Sequence, residues 1–161
     1  MMSFLLASPM VHEKKVIKKL LQKGIKVETW GYGWERGRVE LAKMIQIFNI
    51  SKINLNLSNS SSNIFRFWEK RRDQIKGRNF EIQGCGGFQL SSYVDDIESY
   101  FKLDQEIVCF RGENELVEKI QFYLEHDKER VAIAKAGYRR VLKEHTYELR
   151  FKKIFNHVLA C

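Results

Sequence analysis

Two basic residues, one carboxylate and three closely spaced glycines come together in the stretch KGRNFEIQGCGGFQL, residues 76–90. Lys76 and Arg78 carry charge that suits phosphate, and Glu81 could accept hydrogen bonds from the hydroxyls of a ribose. Closely spaced glycines let a backbone approach either a ligand or another segment of the protein. The glycines are Gly84, Gly86 and Gly87. Their spacing matches neither the dinucleotide-binding pattern nor the P-loop, so the residues alone leave both uses open.

The loop GYGWERGR, residues 31–38, adds aromatic side chains to the candidate chemistry. Tyr32 and Trp34 could stack on a base or line a sugar pocket, or they could pack in the core, where Trp30 is also expected. His145 is expected to pack at a helix junction rather than to act as a base. No cluster of histidine, cysteine or acidic residues at ligand spacing predicts a metal site.

These residues need a fold to position them, and strand-like and helix-like segments alternate along the chain. Strands are predicted at residues 3–8, 25–30, 52–58, 87–92 and 105–110. Helices are predicted at residues 11–24, 39–51, 95–101 and about 114–159, with a short helix from about Arg78. Strand–helix–strand units with short joints are typical of parallel sheets. We therefore predict one Rossmann-like α/β domain, residues 1–161, with three layers, a mostly parallel sheet and a helical carboxyl-terminal tail.

The charge and the cysteines limit the classes of partner. The chain of 161 residues has 28 Lys and Arg against 20 Asp and Glu, a net charge of +8. This favours an anionic partner: phosphate on a small ligand, nucleic acid or an acidic membrane surface. No apolar run approaches the roughly 20 residues that span a bilayer. Three widely spaced cysteines favour a reducing compartment, so we expect a cytoplasmic protein.

Three segments resemble, in order, the carboxyl-terminal domain of CgeB-like (spore maturation protein-like) glycosyltransferases. They are IKGRNFEIQGCGGFQLSSYVDDIESYF at 75–101, EIVCFRGENELVEKIQFYL at 106–124 and RVAIAKAGYRRVLKEHTYELRF at 130–151. The upstream pieces VETWGYGW and SKINLNLS are similar to the second and third strands of that domain. R-x-F-E, C-G-G and E-H-T-Y in this order carry the resemblance, which covers nearly the whole chain.

The resemblance implies one half of the GT-B architecture, which holds a nucleotide diphosphate-sugar donor for transfer to an unknown acceptor. Related enzymes carry two acidic residues separated by seven: the second binds the ribose hydroxyls and the first reaches the sugar. Glu81 matches the second position, and counting back places Asp73 at the first. Lys76 and Arg78, with a helix N-terminus, would neutralise the diphosphate as it leaves. The resemblance therefore implies transfer without a metal or other cofactor.

Two departures from the family keep alternatives open. The family's first strand ends in a glycine-rich loop, whereas Ala7, Ser8 and Pro9 stand here. The sequence also lacks the amino-terminal acceptor domain, so the chain could be a fragment, half of a two-chain enzyme, or a non-catalytic nucleotide-sugar-binding module. The segment IFRFWEKRRDQIKGR, which interleaves aromatic and basic residues, keeps a nucleic-acid-binding module as a less favoured alternative.

The last predicted helix, TYELRFKKIFNHVLA, carries one apolar stripe. Phe151, Ile154, Phe155 and Val158 recur at helical spacing. The pattern favours packing of this stripe on the domain's own sheet. An exposed stripe would instead indicate self-association or a partner domain.

Overall fold

A computed structural model describes residues 2–5, 11–57 and 74–159 of the chain. Asp73, Ala7, Ser8 and Pro9 lie outside these described ranges, as does most of the aromatic and basic segment at 64–78. The predictions made for these residues therefore stay predictions.

Five parallel strands form one sheet in the order β2-β1-β3-β4-β5. They are β1 (Met2–Leu5), β2 (Val27–Trp30), β3 (Ile53–Asn56), β4 (Gln89–Ser92) and β5 (Val108–Phe110). Met2 lies opposite both Val27 and Ile53, so β1 lies between β2 and β3. The chain thus turns to one side of β1 and then to the other, which makes a topological switch point between β1 and β3. The predicted parallel α/β fold is confirmed, with strands shorter than the sequence suggested.

Six helices lie within the described residues. They are α1 (Val11–Gln22), α2 (Leu41–Ile50), α3 (Arg78–Gly84), α4 (Glu113–Glu125), α5 (Asp127–Glu144) and α6 (Tyr147–Leu159). A 3-10 turn, Ile97–Ser99, stands where a helix was predicted at 95–101. The carboxyl-terminal part of the chain is helical as expected. Its last break falls at Thr146, whose Oγ1 accepts a hydrogen bond of 3.3 Å from the Leu149 N–H as an N-cap.

Apolar clusters hold helices on both sides of the sheet. Leu20 of α1 and Ile120 of α4 bury their side chains against Leu55 and Leu90 on one face. Phe48 of α2 and Ile82 of α3 form a separate cluster on the other face. Burying a side chain of this size stabilises the fold by about 1.5–3 kcal/mol, so these clusters fix the helices on the sheet.

The face of the sheet under α3 is polar rather than apolar. Asn54, Asn56 and Ser91 are buried there, although the alternation of β3 alone would allow the asparagines to face water. Their side chains find partners: Asn54 Nδ2 donates to the carbonyl oxygens of Phe48 and Phe88 across 3.0 and 3.1 Å. Buried polar groups that are satisfied in this way tie elements together in one register.

The helix α6 contradicts the packing that its apolar stripe favoured. None of its residues is buried, and Phe151 and Phe155 are 53% and 59% exposed. The sheet is already covered by the other helices, so no face is left for α6 to occupy. The stripe is therefore exposed in this chain.

Candidate functional site

A cleft of about 330 Å³ opens between the start of α3 and the junction of α5 with α6. Lys76 and Glu81 form part of one wall, and His145 and Arg150 form part of the other. Since α3 follows β3 in a parallel sheet, its first residue lies at the carboxyl edge of the strands, where α/β folds bind ligands. The volume falls at the small end of known ligand pockets, about 300–1,000 Å³. The structure thus brings Lys76 and Glu81 together as the sequence predicted.

A reciprocal pair of hydrogen bonds fixes the turn before α3. The Lys76 N–H donates to Asn79 Oδ1 across 3.1 Å, and the Asn79 N–H donates to the Lys76 carbonyl oxygen across 3.0 Å. The first of these bonds is one half of a capping box, in which a side chain in the first turn accepts from the backbone N–H of a residue before the helix. Asn79 is fully buried, and its Nδ2 donates to Ser91 Oγ across 3.3 Å. The turn that carries Lys76 is therefore anchored to β4.

Arg78 is less exposed than Lys76, does not line the cleft, and is within electrostatic reach of two carboxylates. Burial lowers the pKa of the Arg78 guanidinium, whereas the charges of Glu81 and Glu13 act in the opposite direction. Glu13 belongs to the first turn of α1 and is only 3% exposed. A buried carboxylate needs a compensating partner, and Arg78 supplies positive charge to it. Arg78 therefore links α1 to α3 electrostatically, and carboxylates of the protein compensate part of its charge.

Glu81 is exposed on α3 and turns its carboxylate back over the preceding turn. A Cβ placed on Gly77 would lie 3.3 Å from Glu81 Oε1, so the absence of a side chain at Gly77 leaves room for this carboxylate. The same charge contributes, after burial, to a raised pKa of the Cys85 thiol. Cys85 is thus kept protonated, which makes it a packing residue rather than a nucleophile.

His145 packs at the junction of α5 and α6, which confirms the role predicted for it. Its ring lies 5.2 Å from that of Phe80 and 5.7 Å from those of Tyr100 and Phe101. Its Nε2 is 3.2 Å from the Tyr100 carbonyl oxygen, to which it can donate. Burial lowers the pKa of His145, and the charge of Arg150 lowers it further. A neutral imidazole among rings stabilises the wall of the cleft without adding charge.

The glycines that follow Glu81 do not reach the cleft. Gly84 ends α3, about 10 Å from its start at 1.5 Å per residue. Gly86 turns the chain with a φ of 81°, and a Cβ on Gly87 would lie 2.7 Å from Asn54 Nδ2 and 3.0 Å from the Phe48 carbonyl oxygen. These contacts support the packing use of Gly86 and Gly87, in a turn and in a close approach of the chain to itself. A binding role for the three glycines stays a prediction.

The aromatic residues of the loop after β2 are also outside the cleft lining. Tyr32 is 66% exposed, and the Arg38 guanidinium lies 5.8 Å from its ring centre. Trp34 is half-buried and packs against the core face of α1 and α4, whereas Trp30 packs against the opposite cluster as expected. β2 is an edge strand, two strands from β3, a separation of roughly 10 Å. A binding role for Tyr32 and Trp34 stays a prediction.

Metal sites and membrane spans are both missing from the described ranges. No three His, Cys, Asp or Glu side chains in them lie together as metal ligands would. None of the helices in those ranges has the length and apolar character that crossing a bilayer requires.

Sequence reasoning missed three residues that shape the site. Glu13 lies in the run EKKVIKKLLQK, which has the pattern of a solvated helix face, and Arg150 lies among the charges of an amphipathic helix. Asn79 carried one usable signal. It stands three positions after Lys76, just before the helix, which is the spacing of a side chain that caps a helix start.

The family of the chain follows from its sequence. A model of the family described as glycosyl transferase-like matches residues 12–156. The chain belongs to the glycosyl transferase-like family. Among curated proteins, none matches the sequence.

Solved structures of two proteins share the fold. Sucrose-phosphate synthase from Thermosynechococcus elongatus is 12% identical with a TM-score of 0.66, over 98% of this chain and 38% of its own. Anabaena HepE, solved in complex with UDP, is 12% identical with a TM-score of 0.65, over 99% of this chain and 40% of its own. This glycosyl transferase-like chain therefore has the fold of a Rossmann-like half of a GT-B structure. It spans about two fifths of the length of these proteins.

Proposed function

We propose that this chain is the donor-binding half of a CgeB-like glycosyltransferase and that a nucleotide diphosphate-sugar binds in the cleft at the start of α3. The observation that carries this proposal is the joint placement of Lys76 and Glu81 in one cleft at the carboxyl edge of a parallel sheet. These are the residues to which the family resemblance assigns diphosphate and ribose.

The residues of the cleft have complementary tasks in this proposal. The exposed Glu81 carboxylate accepts hydrogen bonds from the ribose hydroxyls. Lys76, on its anchored turn, meets the diphosphate. Arg78 contributes less, because burial and its two carboxylate neighbours already engage it. α3 has only seven residues, so side-chain charge rather than the helix dipole is the main source of positive potential.

The same charges fit the chemistry of sugar transfer. The bond between the anomeric carbon and the diphosphate oxygen breaks, and negative charge accumulates on the leaving nucleoside diphosphate. A cation held in place before the reaction stabilises that charge with little reorganisation. The anchoring of the Lys76 turn by Asn79 and Ser91 provides such a position.

We propose further that transfer requires an acceptor half from another domain or chain. This chain spans 38% and 40% of the two solved proteins whose fold it shares. The exposed stripe of α6 fits this proposal, since an apolar helix face on a soluble protein usually meets a partner.

Thermal shift with a panel of nucleoside diphosphates tests the function directly. UDP comes first, because Anabaena HepE was solved in complex with it. A ligand at 100 times its Kd stabilises the folded state by about 2.7 kcal/mol, which gives a clear rise in Tm. We expect one base to be preferred, with the preference kept at high salt. Equal stabilisation by any polyanion that disappears with salt would instead support the nucleic-acid-binding alternative. No response to any nucleoside diphosphate would overturn the proposal.

A further inference from the structure

Arg150 faces the cleft from α6, on the wall opposite Lys76. Its guanidinium carbon lies 4.2 Å from the ring centre of Phe80 and 5.5 Å from that of Tyr100. Contacts of this kind hold a guanidinium by one face. The N–H groups project from the edge of the plane, so stacking leaves them able to donate. Arg150 is thus oriented by the rings without its donors being consumed by them.

The nearby carboxylates of Glu106 and Glu144 form ion pairs with Arg140. Arg140 donates from its NH1 group to Glu144 Oε1 across 2.8 Å, and its Nε lies 3.7 Å from Glu106 Oε2. Glu148, two positions before Arg150 on α6, does not share its helix face. In the ranges that the structure describes, no carboxylate forms an ion pair with Arg150.

Among the residues that the structure describes, the lining of the cleft has an excess of positive charge. Lys76 and Arg150 bring two cations to it, and Glu81 is its one carboxylate among the described residues. His145 adds no charge at neutral pH, because burial lowers its pKa. The forked N–H donors of Arg150 lie on one wall and the ammonium of Lys76 on the other. Together they match a doubly charged group with several acceptor oxygens.

We propose that Arg150 is a phosphate-binding residue of this cleft and that it holds the diphosphate of the donor from the side opposite Lys76. This inference rests on the proposed function and extends the donor site to a helix that sequence analysis did not include. It also has a mechanical consequence. None of the residues of α6 is buried, so a diphosphate bound between Lys76 and Arg150 would tie the first turn of α6 to α3.

Calorimetry with UDP, uridine and inorganic pyrophosphate tests the assignment. Arg150→Ala should weaken UDP and pyrophosphate about tenfold, as loss of a charge-assisted hydrogen bond does, and leave uridine unchanged. The affinities of Arg150→Lys for UDP and pyrophosphate should fall between those of the wild type and of Arg150→Ala, because lysine keeps the charge but lacks the forked N–H donors. Lys152→Ala is the matched control, since it removes one exposed charge from the same helix and should leave all three affinities unchanged.

Hydrogen exchange gives a second measurement, which would not change if Arg150 only packed against the rings. UDP should slow exchange of the amides at the start of α6 in the wild type and not in Arg150→Ala. If Lys76→Ala weakens UDP and Arg150→Ala does not, the inference about Arg150 is overturned while the proposed function stands. Equal loss of uridine and UDP would show that Arg150 only supports the cleft wall, which also overturns it. If the wild type binds none of the nucleoside diphosphates in the panel, both proposals fail.

Discussion

The backbone N–H of Lys76 and the side chain of Asn79 are joined by a hydrogen bond of 3.1 Å, and Asn79 is in turn bonded to Ser91 on β4. Through this relationship a fully buried amide sets the position of an exposed lysine at the mouth of the cleft. Asn79 does not itself line the cleft. It is a positioning residue, and its effect on ligand binding should pass through Lys76.

We therefore expect Asn79→Ala to have two separable effects. Unsatisfied groups at Lys76 and Ser91 should reduce the free energy of unfolding by about 1–3 kcal/mol. UDP affinity should fall as well, and this loss should largely disappear in a Lys76→Ala background. A double-mutant cycle by calorimetry measures the coupling. Additive losses of affinity would show that Asn79 does not act through Lys76.

Glu81→Ala should weaken nucleoside diphosphate binding by roughly 1–3 kcal/mol, because the ribose hydroxyls lose their acceptor. The fold should be retained, since Glu81 is exposed. Calorimetry with UDP gives the affinity, and circular dichroism checks the fold. Glu118→Ala, which removes an exposed charge from α4, is the matched control and should bind as the wild type does. An unchanged affinity in a folded Glu81→Ala protein would remove Glu81 from the site.

Nucleoside diphosphate binding should be insensitive to EDTA. The charge of the diphosphate is met in this proposal by Lys76 and Arg150 from opposite walls of the cleft. Arg78 is not among the lining residues and adds positive charge from behind Lys76. Titrations of UDP with EDTA and with added magnesium or manganese should give the same Kd. A strict requirement for either metal would contradict this account and the CgeB-like assignment that implies it.

Gly137→Ala should destabilise the protein severely, because α3 and α5 touch at this point. A Cβ on Gly137 would overlap the side chain of Gln83 and the carbonyl oxygen of Glu106, and a backbone oxygen cannot move aside cheaply. Overpacking of this kind costs about 1–3 kcal/mol or more. Urea denaturation measures it, with Gly112→Ala as the control: nothing lies within 4 Å there, so the only loss should be about 0.5–1 kcal/mol from the weaker capping of α4 by alanine. Equal stabilities would show that the two helices separate easily.

The parallel fold was predictable because its signals are local. Strand-length runs such as residues 52–58 alternate with helix-length amphipathic runs, and that pattern allows few arrangements. Lys76 and Glu81 could be placed because both belong to one short turn. Arg150 could not, since it reaches the cleft only through the packing of α6 beside Phe80, about 70 positions away in the chain, and such a contact leaves no periodic pattern.

The apolar stripe shows the opposite limit of sequence reasoning. Periodicity identified Phe151 and Phe155 as one face of a helix, which the structure confirms, but it does not say what covers that face. The sheet had no room left for α6, so the stripe stayed exposed. Amphipathic pattern thus predicts that a face will be buried somewhere, and only the placement of the other elements tells whether the partner lies in the same chain.

The last prediction is that the purified chain binds donor, transfers no sugar by itself and presents the α6 stripe as an interface. Tyr147, Phe151 and Phe155 stack along the helix, with ring centres 6.4 and 6.3 Å apart, and all are exposed. Phe151→Ser/Phe155→Ser should therefore stay folded, bind UDP and become more monodisperse in light scattering. Lys152→Ser/Asn156→Ser, with the same spacing on an exposed face about 100° around α6, should change nothing. Unfolding of the phenylalanine variant would show that the stripe is core. Sugar transfer by the chain alone, with any acceptor, would contradict the need for a second half.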